Sequence, residues 1–271
     1  MRAFLRRHPV LVYFLLTFVI SWTGALAVAA PALVRGEQPS KDAGILMFPL
    51  MILGPCISGI ALTYFLNGSA AVRKLFSRMR PNQAAPIWYL ALAVPPILIL
   101  TVLSLLSRLV SPQFTPGLFW QGVFFGLPAG FIEEIGWSGF ALPHMIQGHK
   151  LLPQSALLGF LWGLWHMPVI DYLGTATPHG PYLLPFFTAF IAAMMGLRVI
   201  IAGLYAGTGS LLLAQLTHAS STGALVAFSP ARVTAGGEAY WYLGYAAALW
   251  IVVIFAALRF RHDGSFVRHT G

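Results

Sequence analysis

Residues 122–143 read GVFFGLPAGFIEEIGWSGFALP and place two adjacent glutamates, Glu133 and Glu134, inside an otherwise apolar run. A run of this length can cross a bilayer as a helix, and it lacks the period-two alternation of a membrane β-strand. A charged carboxylate at the centre of a bilayer costs roughly 2.5–3.5 kcal/mol. A pair at a helix end would merely be solvated near the headgroups, but this pair lies well inside the run. It therefore predicts a polar chamber within the membrane.

The rest of the chain has the composition of an integral membrane protein. Of its 271 residues, 58% are hydrophobic and 8% are charged, whereas soluble domains carry roughly 25% charged residues. We predict an all-α polytopic fold with about eight transmembrane helices. Their approximate spans are 10–34, 44–66, 85–107, 118–142, 152–170, 182–204, 207–228 and 240–258. The connectors are short, so residues 1–271 are predicted to form a single membrane domain with a catalytic core at about 118–228.

The basic residues indicate an orientation. With the N-terminus in the cytosol, twelve of the 16 Lys and Arg residues fall on the cytosolic side, among them Arg198 and Arg268. This fits the positive-inside rule and predicts a cell-membrane protein with both termini cytoplasmic. The net charge of +9 is thus assigned to topology and lipid contact rather than to nucleic acid. The N-terminal segment resembles a cleavable signal, but its apolar run is too long for one, so we interpret it as the first membrane helix.

Most of the other ionisable residues are predicted to contact water in loops or the tail. The acidic ones are Glu37, Asp42, Asp171, Glu238 and Asp263, and the histidines are His8, His144, His149, His179, His262 and His269. The two remaining histidines, His166 in GFLWGLWHMPV and His218 in LLLAQLTHASSTGA, lie within apolar helices. One buried histidine is more often a hydrogen-bonded core residue than a catalyst. Two of them, together with the glutamate pair, favour one shared site near mid-membrane.

The helix that carries the glutamates separates their roles. Neighbouring helical residues point about 100° apart, so Glu133 shares a face with Trp137 and Glu134 shares one with Ser138. Glycines at every fourth position upstream, Gly122, Gly126 and Gly130, form a smooth ridge on which another helix can pack closely.

A glutamate and two histidines can activate water. They can do so through a bound metal such as zinc, with Glu133, His166 and His218 as the candidate ligands. They can also do so without metal, with the carboxylate as general base and the imidazoles stabilising the oxyanion. Both alternatives stay open on these residues. The chain has no HExxH, GxSxG or Walker motif.

Three segments resemble the motifs of the CPBP intramembrane proteases, the CAAX-processing and bacteriocin-processing group that includes the Ras-converting endopeptidase. EEIGWSGF resembles the EExxxR motif, WGLWHMP resembles FxxxH, and THASST resembles HxxxN. Their order and spacing agree, and the resemblance spans about residues 120–225.

The resemblance implies an eight-helix membrane peptidase. Glu133 with His166 would activate the water, and His218 with Thr222 would hold the oxyanion, with or without a metal. Glu134, Trp162 and Ser138 would support them. Trp137, Trp162 and Trp165 are candidate walls of the chamber.

The chain departs from these motifs at three positions. Ser138 replaces the motif arginine, which leaves Glu134 to find another donor or to hold a proton. Trp162 replaces the phenylalanine, with little consequence expected. Thr222 replaces the asparagine and offers one hydroxyl instead of an amide.

We therefore predict an intramembrane endopeptidase. Its substrate would be a membrane-associated peptide or protein, either a prenylated CAAX-like C-terminus or a leader peptide. The alternative is a non-proteolytic immunity or adaptor protein of the same fold. A transporter with a Glu/His proton relay is less well supported, because residues 1–115 contain no second Glu/His segment matching the first.

Overall fold

All regular elements among the described residues are helices, which confirms the predicted fold class. The computed structural model describes residues 2–263. After a short helix, Arg2–Arg7, the elements are α1 (Pro9–Val34), α2 (Lys41–Met51), α3 (Leu53–Ser77), α4 (Val94–Leu109), α5 (residues 122–145), α6 (Leu151–Trp165), α7 (Leu183–Thr208), α8 (Leu211–Phe228) and α9 (Ala235–Asp263). Arg268 and His269 lie outside the described residues, as do the side chains of His262 and Asp263.

Six helical segments of the described chain are long and apolar enough to cross a membrane. They are α1, α2 with α3, α4 with the 3-10 turns before it, α7, α8 and α9. The other two predicted spans correspond to α5, which is irregular, and α6, which has only 15 residues. The fold is therefore a polytopic helical membrane protein, and the predicted number of eight is approximate.

The glycine ridge of α5 packs directly against α8, as predicted. A Cβ atom added at Gly126 would lie 2.1 Å from the carbonyl oxygen of Ala219, and one added at Gly130 would lie 2.3 Å from that of Gln215. Gly122 meets the backbone at Ala227 in the same way, at 2.6 Å. Because no side chain separates the two backbones, α8 is held close beside the glutamates of α5.

The α5 helix is irregular around those glutamates. It contains two π-helical turns, Ala129–Glu133 and Trp137–Ala141, on either side of the short α-helical stretch Glu134–Gly136. Pro128 directly precedes the first π turn and cannot donate a regular helical hydrogen bond. Single π turns within helices are frequent at functional sites, and here the first ends at Glu133 and the second begins three residues after Glu134.

The α6 helix ends earlier than predicted. The sequence indicated a helix over residues 152–170, but the α-helix stops at Trp165 and His166 is its C-cap. A 3-10 segment, Met167–Tyr172, follows. The cause is Pro168, which has no N–H to donate to the carbonyl of Leu164 and so interrupts the regular α-helical hydrogen bonding. His166 is therefore at the end of a helix and not within one.

Arg198 is also placed differently from the prediction. It was counted among the basic residues of the cytosolic side, but it lies within α7 and its side chain is completely buried. The prediction ended this helix too early, at residue 204 instead of Thr208. Arg198 is thus an intramembrane charge and does not bear on the orientation of the chain.

A second polar group corrects the prediction for His179 and Glu238, which were expected to contact water and are buried, whereas the side chain of Asp171 is 33% exposed. We call Asp171, His179 and Glu238 the loop cluster. His179 donates from Nδ1 to Asp171 (2.8 Å) and from Nε2 to Glu238 (3.2 Å), and Glu238 is fully buried. Glu238 also accepts the backbone N–H groups of Thr175 and Ala176, at 3.0 and 2.8 Å. The cluster ties the segment between α6 and α7 to the first turn of α9.

Candidate active site

One oxygen of Glu133 is held by two indole groups. Its Oε2 accepts hydrogen bonds from Trp137 Nε1 at 3.1 Å and from Trp162 Nε1 at 3.0 Å. Trp137 lies one turn further along α5, on the face predicted for it, whereas Trp162 comes from α6. No hydrogen bond from the described residues reaches Oε1 of Glu133. The carboxylate is therefore fixed by one oxygen and has the other available.

Glu134 is fully buried and accepts hydrogen bonds from three residues. Ser138 Oγ and Arg198 Nη1 both donate to its Oε2, the latter at 2.8 Å. His218 Nδ1 donates to its Oε1 at 2.8 Å. The predicted separation of roles holds, because Glu134 contacts a different set of partners from Glu133. The missing motif arginine is replaced by donors from α5, α7 and α8.

Each candidate histidine has its proton position defined by its partner. His218 Nδ1 faces a carboxylate, and His166 Nδ1 lies 2.8 Å from the carbonyl oxygen of Trp162. Both partners can only accept, so each Nδ1 carries the hydrogen. The nitrogen left for chemistry is Nε2 in both rings.

Trp162 contacts every candidate catalytic residue. Besides its hydrogen bonds to Glu133 and His166, its ring lies 4.8 Å from that of His218 and 5.7 Å from that of His166, centroid to centroid. The guanidinium carbon of Arg198 lies 4.2 Å from the centroid of the same ring. The structure thus brings Glu133, His166 and His218 together around one indole.

The other two tryptophans lie close to the same residues. The ring of Trp165 lies 4.7 Å from that of His166 and 5.8 Å from that of Trp137. Trp137, Trp162 and Trp165 thus pack beside the candidate residues, and their role as walls of a chamber stays a prediction.

Thr222 lies one turn after His218 on α8 and is half-buried. No hydrogen bond of its side chain occurs among the described residues. Its hydroxyl is therefore free of protein partners, unlike that of Ser138.

Arg198 was not predicted to be a site residue, and Trp162 was predicted only to replace the motif phenylalanine as an aromatic ring. The signal for Arg198 was present, since an ionisable residue in an apolar helix such as LLPFFTAFIAAMMGLRVIIAGLYAGT indicates a functional site by default. The signal for Trp162 was its N–H group, a hydrogen-bond donor that phenylalanine lacks.

The donor set does not fit a metal ion as it stands. Among the described residues, no three His, Cys, Asp or Glu side chains form a group that could hold one. Glu134, which binds His218, is already occupied by Arg198 and Ser138. The chemistry proposed below is therefore derived from the side chains and a water molecule alone.

Comparisons with known proteins identify the same region. A family model described as "Type II CAAX prenyl endopeptidase Rce1-like" matches residues 115–224, which contain all the site residues named above. The "CAAX prenyl protease 2" of Methanococcus maripaludis is 27% identical over 170 residues, covering 58% of this chain and 61% of the relative. The chain thus spans less than two thirds of that relative's length. Both matches support the CAAX protease family and confirm the recognition made from the three motifs.

Proposed function

We propose that this chain, a relative of the CAAX prenyl proteases, is an intramembrane endopeptidase that hydrolyses a peptide bond in a prenylated, CAAX-like substrate. One observation carries the proposal. Glu133 and both histidines meet around Trp162, and each keeps one polar atom clear of the contacts that orient it: Oε1 of Glu133 and Nε2 of each imidazole.

In the proposed reaction, Glu133 and His166 activate the water. Oε1 of Glu133 accepts a proton from the water while Nε2 of His166 accepts its second hydrogen as a hydrogen bond, and the oxygen attacks the scissile carbonyl. The carboxylate then returns the proton to the leaving amine, as a general base that becomes a general acid. The two indole N–H groups on Oε2 hold the carboxylate in place throughout.

His218 is proposed to stabilise the oxyanion. It would act as an imidazolium, in which Nε2 also carries an N–H, while its Nδ1 donates to the Glu134 carboxylate. A donor aimed at the developing oxyanion lowers the barrier because charge forms there only in the transition state. The hydroxyl of Thr222, one turn along α8, is the second proposed donor.

Two observations support the proposed substrate class. Both comparisons name CAAX prenyl endopeptidases, and a prenyl chain would keep its peptide at the membrane that the six apolar segments cross. The remaining basic residues support a cell-membrane location with both termini cytoplasmic. Membrane lipid and a peptide or protein substrate are then the proposed partners.

The test is cleavage of an internally quenched farnesylated CAAX peptide by the purified protein in lipid nanodiscs. Glu133→Gln, His166→Ala and His218→Ala should each lower kcat at least about a hundredfold, since acid–base groups contribute 10²–10⁴-fold. Glu37→Gln, an exposed carboxylate, is the control and should leave the rate unchanged. Cleavage by Glu133→Gln at the wild-type rate would refute the assignment.

Two further substrates test the specificity. The same peptide without its prenyl group should be cleaved more slowly, and a bacteriocin leader peptide should not compete. The alternative, a non-proteolytic membrane protein of the same fold, is still supported by the replacement of the motif asparagine by Thr222. A folded wild-type protein that yields no product from any of the three peptides would favour it.

A further inference from the structure

We propose that Arg198 is a positioning residue that supplies, from α7, the arginine that the EExxxR motif carries at position 138. In this role it holds Glu134 as the anionic partner of His218. The catalytic part of the inference rests on the proposed function, whereas the pairing rests on the contacts alone.

The two positions converge on one atom. Ser138 Oγ and Arg198 Nη1 both donate to Oε2 of Glu134. The side chain at position 138 is therefore already directed at the carboxylate that Arg198 binds. Its serine is small and fully buried, which leaves room for a guanidinium arriving from the other helix.

The surroundings of Arg198 fix where its guanidinium lies. It stacks 4.2 Å over the ring of Trp162, a cation–π arrangement. One turn before Trp162, Gly159 lets α7 approach α6, since an added Cβ would lie 2.5 Å from Cα of Met195 and 3.0 Å from Cβ of Arg198. The stack is thus built from two packed helices and does not depend on a flexible side chain alone.

The contact network connects Arg198 to the candidate catalytic histidine. Arg198 binds Oε2 of Glu134, and the other oxygen of that carboxylate binds Nδ1 of His218. Removing the guanidinium would leave Glu134 free to rotate or to take up a proton. Either change would alter the orientation of His218, which is why we assign Arg198 a positioning role.

Stability alone does not account for this arginine. A buried ion pair is often no more stable than well-packed apolar side chains in its place. In addition, Nε and Nη2 of Arg198 are buried without a hydrogen-bond partner among the described residues, which is unfavourable. A buried charge that adds little stability is better explained by its hydrogen bond to Glu134, which it holds as the anionic partner of His218.

The test moves the arginine between the two positions. The variants are Arg198→Met, Ser138→Arg and the double variant Ser138→Arg/Arg198→Met, with Arg108→Met, an exposed arginine, as the matched control. Each single variant should lower kcat about a hundredfold with KM nearly unchanged, because a misplaced catalytic group costs on that order. Ser138→Arg fails because two guanidinium groups then compete for one carboxylate.

The double variant should recover kcat at least about tenfold over either single variant, because one guanidinium again meets Glu134. Arg198→Lys, which keeps the charge but not the planar stack, should lie between Arg198→Met and wild type. Wild-type kcat in Arg198→Met, or no recovery in the double variant, would overturn the inference.

A second measurement separates this inference from the proposed function. Thermal unfolding of the same proteins in nanodiscs reports the pairing without any substrate. If wild type and all variants leave every peptide intact, the proposed function fails, yet a double variant that unfolds at a higher temperature than either single variant still supports the pairing. A double variant no more stable than the weaker single variant overturns it.

Discussion

At the scale of single residues, Trp162 defines the candidate site more than any other side chain. A phenylalanine could fill the same space and accept the Arg198 stack. It could not donate to Glu133, whose Oε2 receives the indole N–H at 3.0 Å. The expectation that this substitution has little consequence considered the shape of the ring and did not include this donor.

Replacing Trp162 with phenylalanine tests that donor. A hydrogen bond to a charged group contributes about 1.5–3 kcal/mol, so Trp162→Phe should lower kcat about ten- to a hundredfold in the farnesylated peptide assay. Trp137→Phe, which removes the other indole donor, should have a similar effect. Wild-type kcat in Trp162→Phe would show that Glu133 does not depend on this bond.

The residue scale also shows what the sequence could predict. The separate faces of Glu133 and Glu134 follow from local helix geometry, and the structure confirms them. The partner of Glu134 could not be deduced in this way, because Arg198 is 64 residues away and the contact depends on how α5 and α7 pack. The burial of Glu238 was missed for the same reason, since its partners lie 59 to 63 residues away.

At the scale of helices, the close approach of α5 and α8 sets the distance between Glu134 and His218. The repeat of glycines at every fourth position was sufficient to predict that a helix packs there. It did not identify α8 as that helix.

The ends of helices were less predictable from the sequence than their central residues. Pro168 was nevertheless visible in the sequence as the reason for the early end of α6.

Gly126→Ala tests this packing. The new Cβ would lie 2.1 Å from the carbonyl oxygen of Ala219, and such overpacking typically costs about 1–3 kcal/mol. We expect a lower unfolding temperature in nanodiscs and slower peptide cleavage. Gly203→Ala on α7 is the matched control, since nothing lies within 4 Å of an added Cβ there. An unchanged unfolding temperature in Gly126→Ala would contradict the close contact.

At the scale of the whole molecule, the loop cluster joins the segment between α6 and α7 to α9. His179 stacks on Phe186 with ring centroids 4.1 Å apart, and Phe190 on the same helix lies 5.0 Å from His166. The cluster thus also borders the aromatic packing around a candidate catalytic residue. Asp171 and Glu238 are the charged groups that contact His179.

Stability should depend on pH through His179. Burial lowers the pKa of His179, but its hydrogen bonds to Glu238 and Asp171 outweigh burial and raise that pKa above its ordinary value of about 6.5. The folded protein then binds this proton more tightly than the unfolded chain. The resulting stabilisation is complete below about pH 6.5 and is lost as the pH rises through the folded-state pKa.

We therefore expect the unfolding temperature of the wild type to fall as the pH rises from about 6 to 8.5. His179→Gln should lower the unfolding temperature at acid pH and flatten this dependence. His149→Gln, an exposed histidine, should leave it unchanged. Parallel pH curves for wild type and His179→Gln would mean that the cluster carries no ionised histidine.

The early end of α6 leaves this helix too short to span a bilayer by itself. A helix of 15 residues rises about 22 Å, whereas the hydrocarbon layer is about 30 Å thick. Irregular backbone at that depth is tolerated only when it is shielded by protein or lines a hydrated cavity, and Glu238 takes over the shielding by binding two of the exposed amides. The chain that continues beyond His166 therefore completes its hydrogen bonding through a carboxylate of another helix, where a longer α6 would have done so internally.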